Sequence, residues 1–204
     1  MNEIKPMNGA RKRKERRESI ENRQLILTTA RRLFAGNGVR AVSMRQIARE
    51  AGIGQGTLYR QYTDKGALCE ALLRETIEEF QNTFEIRAQA STDKALQLVE
   101  ELLEQIVQFT DENSEMVSAL VEVALSERRH VFHHIPFYAW AREKIMQLLT
   151  TGMESGEVQP LDAEYTAYVL LSPLVMNIFI RKGFSSERIL QTTRQLLLNG
   201  VKVD

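Results

Sequence analysis

Between Ser43 and Tyr62 the chain reads SMRQIAREAGIGQGTLYRQY, and this stretch constrains the fold more tightly than any other. Ser43 followed by Gln46 has the spacing of a capping box, in which the hydroxyl accepts from the third helical N–H and the amide reaches back. A helix therefore starts at Met44. Ile47, Ala48 and Ala51 give it one apolar side, and Gly52 can adopt the left-handed conformation that ends a helix without a Cβ clash. Ile53 is placed to plug the angle of the turn, and Gly54 stands where a second N-cap falls. From Gln55 a second helix begins, with Leu58 and Tyr62 inward, leaving Gln55, Thr57, Tyr59, Arg60 and Gln61 outward. Two short helices joined by a tight glycine turn form a helix-turn-helix, and the outward face suits a major groove. Gln and Arg can pair with base edges, the Thr methyl can touch a thymine methyl, and Thr and Tyr hydroxyls reach phosphates. A phosphate-cradling loop built on Gly52, Gly54 and Gly56 fits less well: no strand precedes it, and the dinucleotide spacing is missing.

The segment GQGTLYRQYTDKGAL resembles the recognition-helix signature of the tetracycline-repressor (TetR) family of transcription regulators. The similarity extends upstream through ILTTARRLFAGNGVRAVSMRQIAREAG, so that it covers Arg23 to Leu72. Gly54, Gln61 and Gly66 depart from the residues usual there, which are Ser, an aromatic or His, and Glu. The resemblance implies an all-α fold, with an N-terminal three-helix DNA-binding domain and a C-terminal helical domain for ligand binding and dimerisation. It also implies that Lys65 contacts the DNA backbone. The candidate DNA contacts are Ser43, Arg45, Gln55, Gly56, Thr57, Tyr59, Arg60, Gln61 and Lys65.

Charge supports the same division. The 204 residues carry no net charge, yet residues 1–65 hold 15 Lys plus Arg against 6 Asp plus Glu, whereas residues 66–204 hold 12 against 21. The basic end suits a polyanion, and the acidic remainder does not. Residues 1–18 include RKRKERR and lack apolar periodicity, so they are expected to be a basic flexible arm, free to follow phosphates or to remain solvated. Residues 19–65 form the expected DNA-binding domain, with Ile26, Ala30, Leu33 and Phe34 as the stripe of its first helix and Asn37 and Gly38 as its stop. Residues 66–204 form the expected ligand-binding and dimerisation domain. A single cysteine allows no intrachain disulfide, and no signal-peptide pattern precedes the helices, so a cytoplasmic location is expected. Cys69 reads as a small buried residue rather than a redox sensor.

Beyond Tyr62 the pattern predicts only helices. Asp64 or Thr63 caps a long one through Leu68, Leu72, Phe80 and Phe84, which can join the reading head to the second domain. Another, from Thr92, carries Leu96, Val99, Leu103, Ile106 and Val107, and the next opens at Ser114. Pro136 marks a further start. Asp162 caps the most apolar helix, in which no residue from Tyr165 to Ile180 is charged. That run is too short, and too interrupted by Pro173 and Asn177, to span a membrane. A helix apolar all round must be buried all round, so a partner chain is expected on one side, and together with the helix after Ser185 it would make the four-helix bundle of a homodimer.

No catalytic constellation is present. HExxH, GxSxG and P-loop patterns are missing, and His130, His133 and His134 lack the further ligands of a metal site, reading instead as a helix end. No enzyme activity, cofactor or metal is expected. By the resemblance, the second domain encloses a cavity whose small-molecule effector releases a palindromic operator. Phe109, Met116, Trp140, Tyr168, Met176 and Phe179 are available to line it, with Asn113, Glu122 or Asn177 as polar anchors, which suggests a lipophilic or aromatic ligand. A ligand-independent architectural DNA-binding protein and an enzyme in the helical bundle are the alternatives.

Overall fold

Helix α1 (Asn8–Asn37) begins well before the apolar stripe that predicts it. Its first half has no core-facing residues, but it is built from good helix formers, and exposed pairs one turn apart, Arg17–Glu21 at 2.9 Å and Lys14–Glu18 at 3.8 Å, support it. From Asn8 onward the expected flexible arm is therefore helix, a difference that apolar periodicity could not signal. The computed structural model describes residues 8–92, 94–126, 135–175, 183–195 and 199–201.

The chain divides into two units, residues 1–72 and 73–204. In the first, α1 ends as expected: the Gly38 N–H donates to the Phe34 carbonyl at 2.8 Å, with Gly38 at φ 78°. Ile26, Ala30, Leu33 and Phe34 pack with Ile47 and Ala48 of α2 (Met44–Glu50), Leu58 of α3 (Gln55–Gln61), and Leu68 and Cys69 of α4 (Lys65–Ala90), all of them buried. The division falls inside α4, whose first turn closes this three-helix core. Asp64 is its cap, accepting from the Ala67 N–H at 2.8 Å. Burial pushes the Cys69 thiol up to about 12, so this cysteine is inert packing.

In the second unit, α5 (Ala95–Glu112) turns Leu96, Val99, Leu103 and Ile106 inward as expected. It packs against α7 (Pro136–Glu154), which in turn packs against α8 (Ala163–Val175). Helix α6 (Ser114–Ser126) follows α5 directly, and α9 (Ser186–Thr193) lies against α5 and α8. Pro136 occupies the first turn of α7, and Asp162 caps α8 by accepting from the Tyr165 N–H at 2.9 Å.

One expectation is corrected here. Within the chain, α8 is buried along a single stripe, Ala167, Leu170, Leu171 and Leu174, while Tyr165 is 68% exposed. The physical reason is that α7 and α9 cover only one side of it, and nothing in this chain covers Tyr165. His130, His133, His134, Met176, Asn177 and Phe179 lie outside the described residues.

Candidate nucleic-acid interface

The turn between α2 and α3 is set by caps and one glycine. The Ser43 hydroxyl accepts from the Gln46 N–H at 3.1 Å, which fixes the start of α2. At its end Gly52 sits at φ 66°, a conformation that side-chain-bearing residues rarely adopt. Gly54 then serves as N-cap of α3 in extended backbone, its carbonyl accepting from Thr57 and Leu58 N–H. With Leu58 fully buried and Tyr62 5% exposed, the roll of α3 about its axis is fixed. Its outward surface is the one predicted.

On that surface Gln55, Gly56, Tyr59 and Arg60 are exposed, and Thr57 and Gln61 are half-buried. The Arg60 guanidinium donates to the Thr57 hydroxyl at 3.2 Å, a local bond that a base or phosphate can replace. Gln61 is engaged differently, donating through Nε2 to the Ser19 hydroxyl at 2.8 Å and thereby tying α3 to α1. Ser43 and Arg45 lie exposed at the start of α2. Lys65 faces inward: its ammonium donates to the Val39 carbonyl at 2.9 Å and to the Arg40 carbonyl at 3.4 Å. Two of its three N–H groups therefore brace the turn after α1, which leaves one for a phosphate. Neither the Ser19–Gln61 bond nor this brace is signalled in the sequence, because each joins residues far apart along the chain.

The candidate ligand residues fall in two settings. Phe109 and Trp140 belong to a ring cluster with Phe80, Phe84 and Phe137, in which centroids lie between 4.6 Å (Phe109–Phe137) and 6.3 Å (Phe137–Trp140) apart. These rings fill space against one another. Met116 and Tyr168 are half-buried elsewhere, and the Tyr168 hydroxyl accepts from Arg142 at 3.1 Å. A cavity of about 360 Å³ opens beside them, walled in part by Thr110, Asp111, Val117, Tyr138 and Leu174, none of which is among those candidates. Residues with short polar side chains at helix ends carry no stripe from which a cavity could be foreseen.

Comparison with known proteins bears on both units. Residues 26–72 match the family profile described as "Bacterial regulatory proteins, tetR family". An HTH-type transcriptional regulator of Staphylococcus aureus is 35% identical over 124 residues, covering 60% of this chain and 64% of that protein. The match thus spans somewhat under two thirds of the length of such curated relatives. A TetR-family regulator from Syntrophomonas wolfei has a similar fold, with a TM-score of 0.63 at 18% identity over 88% of this chain and 94% of its own. So does a transcriptional regulator from Saccharomonospora viridis solved in complex with choline, with a TM-score of 0.63 at 19% identity over 90% of this chain and 99% of its own.

Proposed function

Because this chain belongs to the tetR family of bacterial regulatory proteins, we propose that it is a sequence-specific DNA-binding transcription regulator, a repressor that leaves its operator when a small molecule occupies the second unit. The carrying observation is the surface of α3: Gln55, Thr57, Tyr59 and Arg60 stand on a helix whose roll is set by Leu58 and Tyr62, within the basic third of the chain. Gln55 and Thr57 read base edges, and Tyr59 and Lys65 hold phosphates. Reading heads from two copies would occupy successive major grooves, so their centres would stand ~34 Å apart and the operator would be a palindrome. An effector lowers operator affinity by as much as it prefers the conformation with a different spacing. The choline-bound relative and the cavity in this chain support an effector site in the second unit.

Selection of bound fragments from a random DNA pool, followed by titration, tests this reading. A palindromic motif is expected, and Gln55→Ala should relax the preference at one base position by about 1–3 kcal/mol. Equal affinity for selected and random DNA would instead describe an architectural protein and overturn the proposal.

A further inference from the structure

The cavity in the second unit has a polar floor without partners. Tyr138, on the first turn of α7, is 1% exposed, and its hydroxyl makes no hydrogen bond. The buried Thr110 hydroxyl, on the last turns of α5, is near enough to act on the phenol yet completes no bond either. Two buried hydroxyls left unsatisfied in one wall are costly to keep, and such groups are commonly retained where something else binds them. Above them, Val117 and Val121 lie one turn apart on the same face of α6, and Leu174 of α8 adds to the apolar part of the wall. Asp111 and Ser114 are exposed and mark the mouth, where the Asp111 carboxylate accepts from the Ser186 hydroxyl at 2.7 Å.

Charge narrows the occupant. Among the described residues of the wall Asp111 is the one carboxylate, and there is no Lys, Arg or His; the nearest guanidinium, that of Arg188, is 4.8 Å from the ring centre of the wall residue Phe184. A carboxylate or phosphate ligand would meet the Asp111 charge without a cation in the wall to balance it. An ammonium head buried against two neutral hydroxyls would lose its water without gaining a counter-charge at the floor. A ligand hydroxyl both donates and accepts, which is what a pair of hydroxyls can satisfy.

We propose that this cavity binds a small uncharged amphiphile, an alcohol or phenol, whose hydroxyl completes the bonds of Tyr138 and Thr110 while its apolar body lies along Val117, Val121 and Leu174. The inference rests on the effector reading above and names the chemistry of that effector. Tyr138 is then a ligand-binding residue whose hydroxyl serves the ligand rather than the fold.

The test uses the full chain without DNA and three probes with matched bodies: hexan-1-ol, hexanoate and hexylammonium. Calorimetry should show saturable binding of hexan-1-ol at millimolar concentration, with the two charged probes much weaker. Tyr138→Phe should weaken hexan-1-ol by about tenfold and at the same time raise the melting temperature of the unliganded protein, since it removes an unpaired buried hydroxyl. Thr110→Val should act in the same direction. A lower melting temperature for Tyr138→Phe would assign the hydroxyl to the fold and overturn the proposal. So would hexan-1-ol affinity indifferent to Tyr138, tighter binding of hexanoate, or no saturable heat with hexan-1-ol. Operator affinity is measured separately. If hexan-1-ol binds through Tyr138 but leaves operator affinity unchanged, the cavity chemistry stands and the effector reading falls.

Discussion

At the scale of single residues, Lys65 carries two tasks at once. It is the first residue of α4, where the positive end of the helix disfavours a cation, and its ammonium is held instead by the Val39 and Arg40 carbonyls at 2.9 and 3.4 Å. Those bonds fix the turn that feeds α2. Lys65→Ala should therefore destabilise the first unit by about 1.5 kcal/mol, the lower end for hydrogen bonds to a charged group because the site is only half-buried. With the remaining N–H on a phosphate, the same change should also reduce the slope of log affinity against log salt by roughly one. Thermal melts and titrations at several salt concentrations check the two effects independently. Earlier melting with an unchanged slope would assign Lys65 to the turn alone.

At the scale of elements, the start of α5 depends on a residue more than sixty positions away. The Glu157 carboxylate accepts from the Ala95 N–H at 2.9 Å and from the Leu96 N–H at 3.2 Å, satisfying two donors that the helix itself leaves open. Its negative charge also sits at the positive end of the helix. Glu157 is delivered there by the end of α7, where the Gly152 carbonyl accepts from both Glu157 and Val158 N–H and the backbone closes tightly. A Cβ on Gly152 would stand 2.6 Å from Val158 Cγ2 and 3.4 Å from the Ala95 Cβ, so only glycine allows this approach. Glu157→Ala should lower the stability of the second unit by about 1–2 kcal/mol, as loss of a helix cap does, and Glu157→Gln should recover part of it. Denaturant unfolding followed by circular dichroism measures both. Equal midpoints for all three proteins would show that water replaces the carboxylate at no cost.

At the scale of the whole molecule, the uncovered side of α8 is the feature that a single chain does not account for. Tyr165, Val169 and Ser172 follow one another at helical spacing on the side away from Ala167, Leu170, Leu171 and Leu174, with Tyr165 68% exposed. No helix among the described residues is long and apolar enough to cross a membrane, so a lipid-spanning role does not explain this face. A second copy would cover it and present two reading heads to one operator. Sedimentation at micromolar concentration, without DNA, should give a dimer. Tyr165→Glu should shift it toward monomer while leaving the melting of α8 little changed, because Tyr165 touches little in its own chain. A wild-type monomer would sink this assembly and with it the palindromic operator.

What the sequence by itself determined is whatever local chemistry can carry. Ser43, Gly52 and Gly54 announce the caps and the turn because capping and left-handed backbone act over three or four residues, and Leu58 and Tyr62 announce the roll of α3 because one turn separates them. The apolar stripes of α1 and α5 follow from the same periodicity. The early start of α1 was hidden, since a helix of solvated charges has no stripe. Everything decided at long range belonged to the tertiary structure alone: the Ser19 bond that occupies Gln61, the carbonyls that hold Lys65, the Glu157 cap on α5, and the unpaired hydroxyls of Thr110 and Tyr138 at the floor of the cavity. The reason is physical. A cap or a stripe is a relation between neighbours along the chain, whereas a brace, a distant cap and a cavity wall are relations between neighbours in space, and only packing determines who those are.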